Sequence, residues 1–283
     1  MKINRNGRSR AAKVILGIFI LCGVVKDIEF MVLKTDQTMI AENVICKLFC
    51  ILMVATVLAL TEQKWSDIGF KLNGMWKGMK YGFALGIITF AVSYLIEFIV
   101  LELNGKNPYL SFYITNFTMS EANVTGISIW TLLICVVGNA INVWGEESLF
   151  RGLFIKLGTK ALGTKGANML QALLFGVWHM VSVVLWVMEG SMTISQAVIF
   201  GLGYLVLAWI LAYEWGICAT LTGTVWVGVF EHFFNNFIAN SLHVLTDTGA
   251  DELQIVRIVI SNILSLTIVL IVSKVKERSH LVL

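Results

Sequence analysis

Apolar runs about as long as a lipid bilayer is thick dominate this sequence. A transmembrane helix needs about 20 mostly apolar residues, and about eight stretches approach that length. Hydrophobic residues make up 57% of the chain and charged residues 14%, which is too little charge to surround a soluble core of this size. We therefore predict an all-α fold, a polytopic transmembrane helical bundle of about eight spans, at 13–34, 43–62, 81–103, 127–150, 167–188, 194–213, 217–242 and 254–273.

Lysine and arginine lie mainly in four segments between the predicted spans. These segments, 2–13, 64–80, 151–165 and 274–278, alternate with loops that are mostly acidic or polar. Basic residues favour the cytoplasmic side of a membrane, so both termini are predicted to be cytoplasmic. The same distribution indicates a lipid bilayer, and no nucleic acid, as a partner. The five cysteines all lie in apolar stretches and are interpreted as buried thiols.

Three regions follow from this pattern. Residues 1–126 are predicted to hold the first three spans, an amphipathic segment and an outer loop; residues 127–242 form the helical core; residues 243–283 form the last span and a basic tail. Residues 63–80 fit either a segment lying along the cytoplasmic interface or a solvated loop. Asn116 and Asn123 fit the glycosylation pattern. The apolar start predicts an uncleaved first span, and the compact chain favours a bacterial cell membrane.

Two adjacent carboxylates stand where the fourth apolar run is expected to end. Glu146 and Glu147 are followed by Arg151, which lies one helical turn beyond Glu147 and suits an ion pair with it. Neighbouring side chains on a helix point about 100° apart, so we expect that Glu146 and Glu147 do not face one point and that Glu146 faces a cavity. The alternative is a helix end whose charges reach toward the cytoplasmic interface.

Two further apolar runs carry polar side chains at one-turn spacing. Phe175 precedes His179 by four residues, and His232 precedes Asn236 by four. A carboxylate and an imidazole can deprotonate a water, and a second imidazole and an amide can donate hydrogen bonds to an oxyanion. Glu146, His179 and His232 could instead bind a divalent metal such as zinc, and the sequence leaves both mechanisms open.

Other membrane chemistries fit this sequence less well. It has no HExxH helix, no GxGD aspartate motif and no serine in an evident nucleophile elbow. Proton-coupled transport stays open, since transporters also place polar groups in spans, but no inverted repeat or pair of broken helices supports it. Among the remaining acids, Glu102 and Glu214 are interpreted as interfacial, and Glu97 and Glu231 as buried and hydrogen-bonded.

Taken in order, the three motifs resemble those of a known family. Glu146-Glu147-x-x-x-Arg151-Gly152, Phe175-x-x-x-His179 and His232-x-x-x-Asn236 are similar to the motifs of the CPBP family, also called Abi, which contains CAAX prenyl endopeptidases and bacteriocin-processing or self-immunity proteins. The resemblance covers roughly residues 127–240.

The resemblance implies an all-helical intramembrane endopeptidase. Glu146 and His179 would activate water, His232 and Asn236 would form the oxyanion site, and Glu147, Arg151 and Phe175 would support them. The substrate would be a membrane-bound peptide or prenylated protein. The alternative function is a non-proteolytic immunity protein or membrane scaffold.

Overall fold

Helices make up almost all of the structure, a computed structural model that describes residues 5–38, 43–115 and 128–281. The predicted all-α class is confirmed for these residues. The elements are α1 (Arg5–Ile28), a π-helical turn (Glu29–Leu33), a 3₁₀ turn (Thr35–Gln37), α2 (Ile45–Leu60), a second 3₁₀ turn (Trp65–Ile68), α3 (Met75–Leu103), β1 (Tyr109–Phe112), α4 (Ile129–Glu146), a π-helix (Glu147–Phe154), α5 (Ile155–Trp178), α6 (Met180–Met188), α7 (Ile194–Thr222), α8 (Trp226–Ser241), β2 (Leu242–Leu245) and α9 (Gln254–Leu281).

Four stretches of the described chain are long and apolar enough to cross a membrane. They are Met75–Leu103, Ile129–Met188, Ile194–Thr222 and Gln254–Arg278. Helix α2 is apolar but shorter, and α1 carries charged residues such as Lys26 and Asp27 among its apolar ones. The structure therefore indicates an integral membrane protein, while the count of about eight spans and the cytoplasmic termini stay predictions.

Several predicted helix boundaries are wrong. The chain does not end a helix near residue 150 but continues through the π-helix into α5, so most of the basic segment 151–165 is helical. Only Gly163, with φ 72°, interrupts it. The predicted span 217–242 is divided, since α7 ends at Thr222, before Gly223 with φ 69°, and α8 begins at Trp226. The helix was predicted to end near residue 150 because charged residues follow. Since Arg151 is buried inside the bundle, its charge does not require the helix to end there.

Aromatic side chains of the 63–80 segment pack into the bundle. The rings of Trp65 and Phe70 lie 5.5 Å apart, and Phe70 contacts Trp144 at 5.0 Å and Trp226 at 5.3 Å. Trp76 is 66% exposed. The first half of the segment is thus anchored to α4 and α8 by aromatic contacts, and its position at the cytoplasmic interface stays a prediction.

Helix α3 packs on α8 through a stripe of glycines. Gly82 and Gly86 stand where a side chain would collide with α8: a Cβ on Gly82 would lie 2.6 Å from the carbonyl oxygen of Val227, and one on Gly86 would lie 2.5 Å from the ring of Phe234. Small residues let membrane helices approach closely and gain van der Waals contact. This packing fixes α8, which carries His232 and Asn236.

A cluster of buried ionic side chains lies next to the β1–β2 strand pair. The strands pair antiparallel, with Tyr109 opposite Leu245. Beneath them Arg257 of α9 pairs with Glu97 of α3 and with Asp251, at 2.6 Å between Nη2 and Oδ2. Burial alone would raise the pKa of Asp251, but hydrogen bonds from His243 and Arg257 outweigh it and hold that pKa below its usual range. The prediction that Glu97 is buried is confirmed; Asn116 and Asn123 lie outside the described residues.

Replacing Gly82 tests the α3–α8 packing. We expect Gly82→Ala to destabilise the protein by about 1–3 kcal/mol, the usual cost of overpacking, because the added methyl meets backbone atoms of α8. Gly203→Ala is the matched control, since a Cβ there meets no atom within 4 Å. Thermal unfolding in detergent measures both, and equal unfolding temperatures would contradict the packing argument.

Candidate active site

Glu146 and Glu147 lie at the junction of α4 and the π-helix, buried on all sides. Glu146 is 3% exposed and Glu147 is 0% exposed. A buried carboxylate is stable only when hydrogen bonds and opposite charges compensate for lost hydration. Both side chains have such partners from other helices, so this is an assembled polar site and the alternative of a solvated helix end is wrong.

Glu147 pairs with Arg151, as predicted from their spacing. Their Oε2 and Nε atoms lie 3.4 Å apart, and both side chains are fully buried. The guanidinium carbon lies 4.1 Å from the ring centroid of Phe175 and 4.7 Å from that of Trp215. Aromatic faces stabilise a cation, so Phe175 supports the ion pair through its ring.

His232 joins the two carboxylates. Its Nδ1 lies 2.9 Å from Oε1 of Glu147, and its Nε2 lies 3.7 Å from Oε2 of Glu146. The expectation that the two glutamates do not face one point is therefore wrong. The reason is that an imidazole offers nitrogens on two edges, while the π-helix that starts at Glu147 alters the local turn.

The other oxygen of Glu146 is held by residues that the motif analysis missed. Oε1 accepts a hydrogen bond from Nε1 of Trp178 at 2.9 Å and lies 3.6 Å from Nζ of Lys47. Lys26 donates to the carbonyl oxygen of Trp178 at 2.8 Å and lies 4.2 Å from the Trp178 ring centroid. The sequence feature that could have identified Lys26 and Lys47 is the presence of an isolated lysine within each of the first two apolar runs.

His179 caps the end of α5 beside this carboxylate. Its Nδ1 lies 2.8 Å from the carbonyl oxygen of Phe175, which requires a proton on Nδ1 and leaves a lone pair on Nε2 in the neutral ring. The His179 ring also packs against Phe175 and Tyr204. No hydrogen bond of the described residues joins His179 to Glu146, but the two groups lie within electrostatic reach.

Asn236 is oriented by a second asparagine. Its Nδ2 donates to Oδ1 of Asn139 at 3.2 Å, while Asn139 donates to the carbonyl oxygen of Phe233 at 2.8 Å. Asn139 is fully buried on α4, two turns before Glu146. Helices α4 and α8 are thus joined by two successive polar contacts, Asn139–Asn236 and Glu146–His232. Asn139 was missed, although an amide in an apolar run was visible in the sequence.

Behind His232 lies a wall of two buried acids and an indole. Trp215 stacks on His232 with centroids 4.2 Å apart and donates to Glu231. Oγ of Ser265 lies 2.5 Å from both Glu231 and Glu214. The interfacial assignment of Glu214 is wrong because its side chain is fully buried and hydrogen-bonded to α9; the burial of Glu231 is confirmed.

The geometry fits a divalent metal poorly. Two histidines and a carboxylate are a suitable donor set, yet among the described residues no three His, Cys, Asp or Glu side chains are grouped as metal ligands. The ammonium of Lys47 already lies beside Glu146, and Lys26 is close enough to interact with that carboxylate. A divalent cation there would meet like charge in a low-dielectric site, which disfavours a metal beside Glu146.

Removing Arg151 tests the buried ion pair. We expect Arg151→Met to cost about 3–5 kcal/mol, because it leaves the buried Glu147 charge without its cation. The double variant Glu147→Gln/Arg151→Met should recover part of this loss. Thermal unfolding measures both variants, and a double variant less stable than Arg151→Met would contradict the pairing.

Comparison with known proteins agrees with the motifs. Residues 128–238 match the family model described as type II CAAX prenyl endopeptidase Rce1-like. No curated protein matches the chain. The matched residues run from α4 into α8 and include Glu146, His179, His232 and Asn236. The resemblance predicted from the sequence is thus confirmed over this region: residues 128–238 are similar to the Rce1-like family of type II CAAX prenyl endopeptidases.

Proposed function

We propose that this protein is an intramembrane endopeptidase that hydrolyses its substrate with a water activated by Glu146 and His179. One observation carries the proposal: the buried carboxylate of Glu146 turns Oε2 toward His232 at 3.7 Å, while its other oxygen is held by Trp178 and Lys47. A separation above 3.5 Å exceeds a direct hydrogen bond and suits a bridging water. Such a water could give its proton to Oε2.

Water activation is assigned to a carboxylate and an imidazole. Nε2 of His179 carries a lone pair and accepts a hydrogen bond from the water, which orients it. Glu146 removes one proton as the water oxygen attacks the scissile carbonyl carbon. The carboxyl then returns that proton to the leaving amine as the carbon–nitrogen bond breaks, so Glu146 ends in its starting state.

Stabilisation of the oxyanion is assigned to α8. The amide group of Asn236 donates one N–H hydrogen bond to Asn139 and has a second N–H available for the oxyanion. His232 is assigned to the same oxyanion site, and the carboxylate of Glu147 accepts from its Nδ1 and fixes the ring. Donors fixed in place before the reaction stabilise developing charge without reorganisation.

The proposed substrate is a hydrophobic or lipidated peptide that reaches the site from the membrane. The Rce1-like match supports a prenylated CAAX-type protein, and a bacteriocin- or pheromone-like peptide is the second class to test. A match with endopeptidases favours proteolysis over the non-proteolytic immunity or scaffold function.

Neutralising the carboxylate tests the central assignment. We expect Glu146→Gln and His179→Ala each to lower kcat about 10²–10⁴-fold, the usual contribution of a general acid or base. Product formation from prenylated C-terminal peptides, followed by mass spectrometry, measures this. Glu102→Gln is the control because that side chain is exposed. Substantial cleavage by purified Glu146→Gln would remove Glu146 from the mechanism.

Chelation tests the metal-free mechanism. We expect cleavage by the purified protein to be unchanged after prolonged treatment with EDTA or 1,10-phenanthroline, because the lysines supply positive charge beside Glu146. Loss of activity that added zinc restores would contradict this expectation.

A further inference from the structure

Two helices outside the family-matched residues 128–238 each deliver a lysine to the site. Helix α1 supplies Lys26, 3% exposed, and α2 supplies Lys47, 9% exposed. Ammonium groups this deeply buried are costly unless they compensate another charge. We propose that Lys47, assisted by Lys26, is a positioning residue that fixes the Glu146 carboxylate for the reaction assigned above, so that α1 and α2 complete the active site.

Close packing brings Lys47 to the carboxylate. A Cβ on Gly145 would lie 2.9 Å from the backbone carbonyl oxygen of Lys47 and 3.3 Å from its Cα. Only glycine therefore lets α2 approach α4 this closely, and the glycine directly precedes Glu146. The approach places Nζ of Lys47 3.6 Å from Oε1 of Glu146.

A buried carboxylate anchors the start of α2. Glu29 is 0% exposed and accepts hydrogen bonds from the backbone N–H groups of Ile45 at 2.8 Å and Cys46 at 2.5 Å. An acidic group at a helix N-terminus satisfies free N–H groups and favours the helix dipole. Glu29 thereby fixes the first turn of α2, which contains Lys47.

Lys26 acts through an indole. It donates to the carbonyl oxygen of Trp178 and lies over the Trp178 ring, while Nε1 of the same residue donates to Oε1 of Glu146. The ammonium therefore holds in place the tryptophan that holds the carboxylate.

Both lysines act on the same side of the carboxylate. Lys47 and Trp178 contact Oε1 of Glu146, whereas Oε2 faces His232. Fixing one oxygen limits rotation of the carboxylate and presents the other oxygen to the water. In this proposal Lys47 acts on Glu146 and not on the substrate, so loss of Lys47 should lower turnover more than substrate affinity.

Enzyme kinetics provide the first test, which rests on the proposed function. Lys47→Met should lower kcat about 10–100-fold, since misplacing a reacting group by about 1 Å can cost about 10²-fold, with KM changed less than about twofold. Lys47→Arg, which keeps the charge, should retain most of kcat, and Lys26→Met should lower kcat less than Lys47→Met. Lys80→Met, an exposed lysine of α3, is the matched control. Unchanged kcat in Lys47→Met, or a rise in KM alone, would overturn the proposal.

Thermal unfolding supplies a second test that does not need an active enzyme. Lys47→Met and Glu146→Gln each leave one buried charge without its partner, so the double variant should unfold at a higher temperature than the sum of the two single shifts predicts. Additive shifts would overturn the contact. If the wild type cleaves no peptide, the proposed function fails, and this cycle alone decides whether Lys47 holds Glu146.

Discussion

Two adjacent carboxylates inside an apolar bundle require compensation of charge, and this requirement ties the bundle together. Glu147 pairs with Arg151, one turn further along the chain. Glu146 instead pairs with Lys47 of α2 and accepts a hydrogen bond from Trp178 of α5. His232 then links both groups to α8. Because each charge is satisfied by a different element, the elements must pack in one arrangement or leave a buried charge unpaired at a cost of several kcal/mol.

Compensation also separates the roles of the two glutamates. Glu147 is enclosed by Arg151 and Nδ1 of His232, and Arg151 is in turn covered by the rings of Phe175 and Trp215. The carboxylate of Glu147 is therefore engaged in contacts that hold the helices together. Glu146 is held at Oε1 by Trp178 and Lys47, which leaves Oε2 for the proton transfer proposed above. Identical side chains in neighbouring positions thus have different surroundings, which support different proposed roles.

The sequence predicted the helical class and the family resemblance because apolar length and motif spacing are local properties. It predicted the Glu147–Arg151 pair for the same reason. It did not predict that Lys26 and Lys47 turn inward, since a lysine in an apolar run can also reach a membrane surface. Nor did it predict that Ser265 of α9 lets Glu214 be buried beside Glu231. These contacts join residues distant along the chain, and only the packed arrangement determines them.

The continuation of the helix through Arg151 explains how the one-turn spacing of Glu147 and Arg151 produces a buried ion pair. A helix ending near residue 150 would expose Glu147 and Arg151 to solvent, where an ion pair contributes little. Continuing as a π-helix through Glu147–Phe154 keeps both groups in the interior and brings both glutamates to one imidazole. The π-helix, the buried ion pair and the shared histidine therefore depend on one another: together they hold Glu147 and leave Oε2 of Glu146 as the carboxylate oxygen to which the proposed proton transfer is assigned.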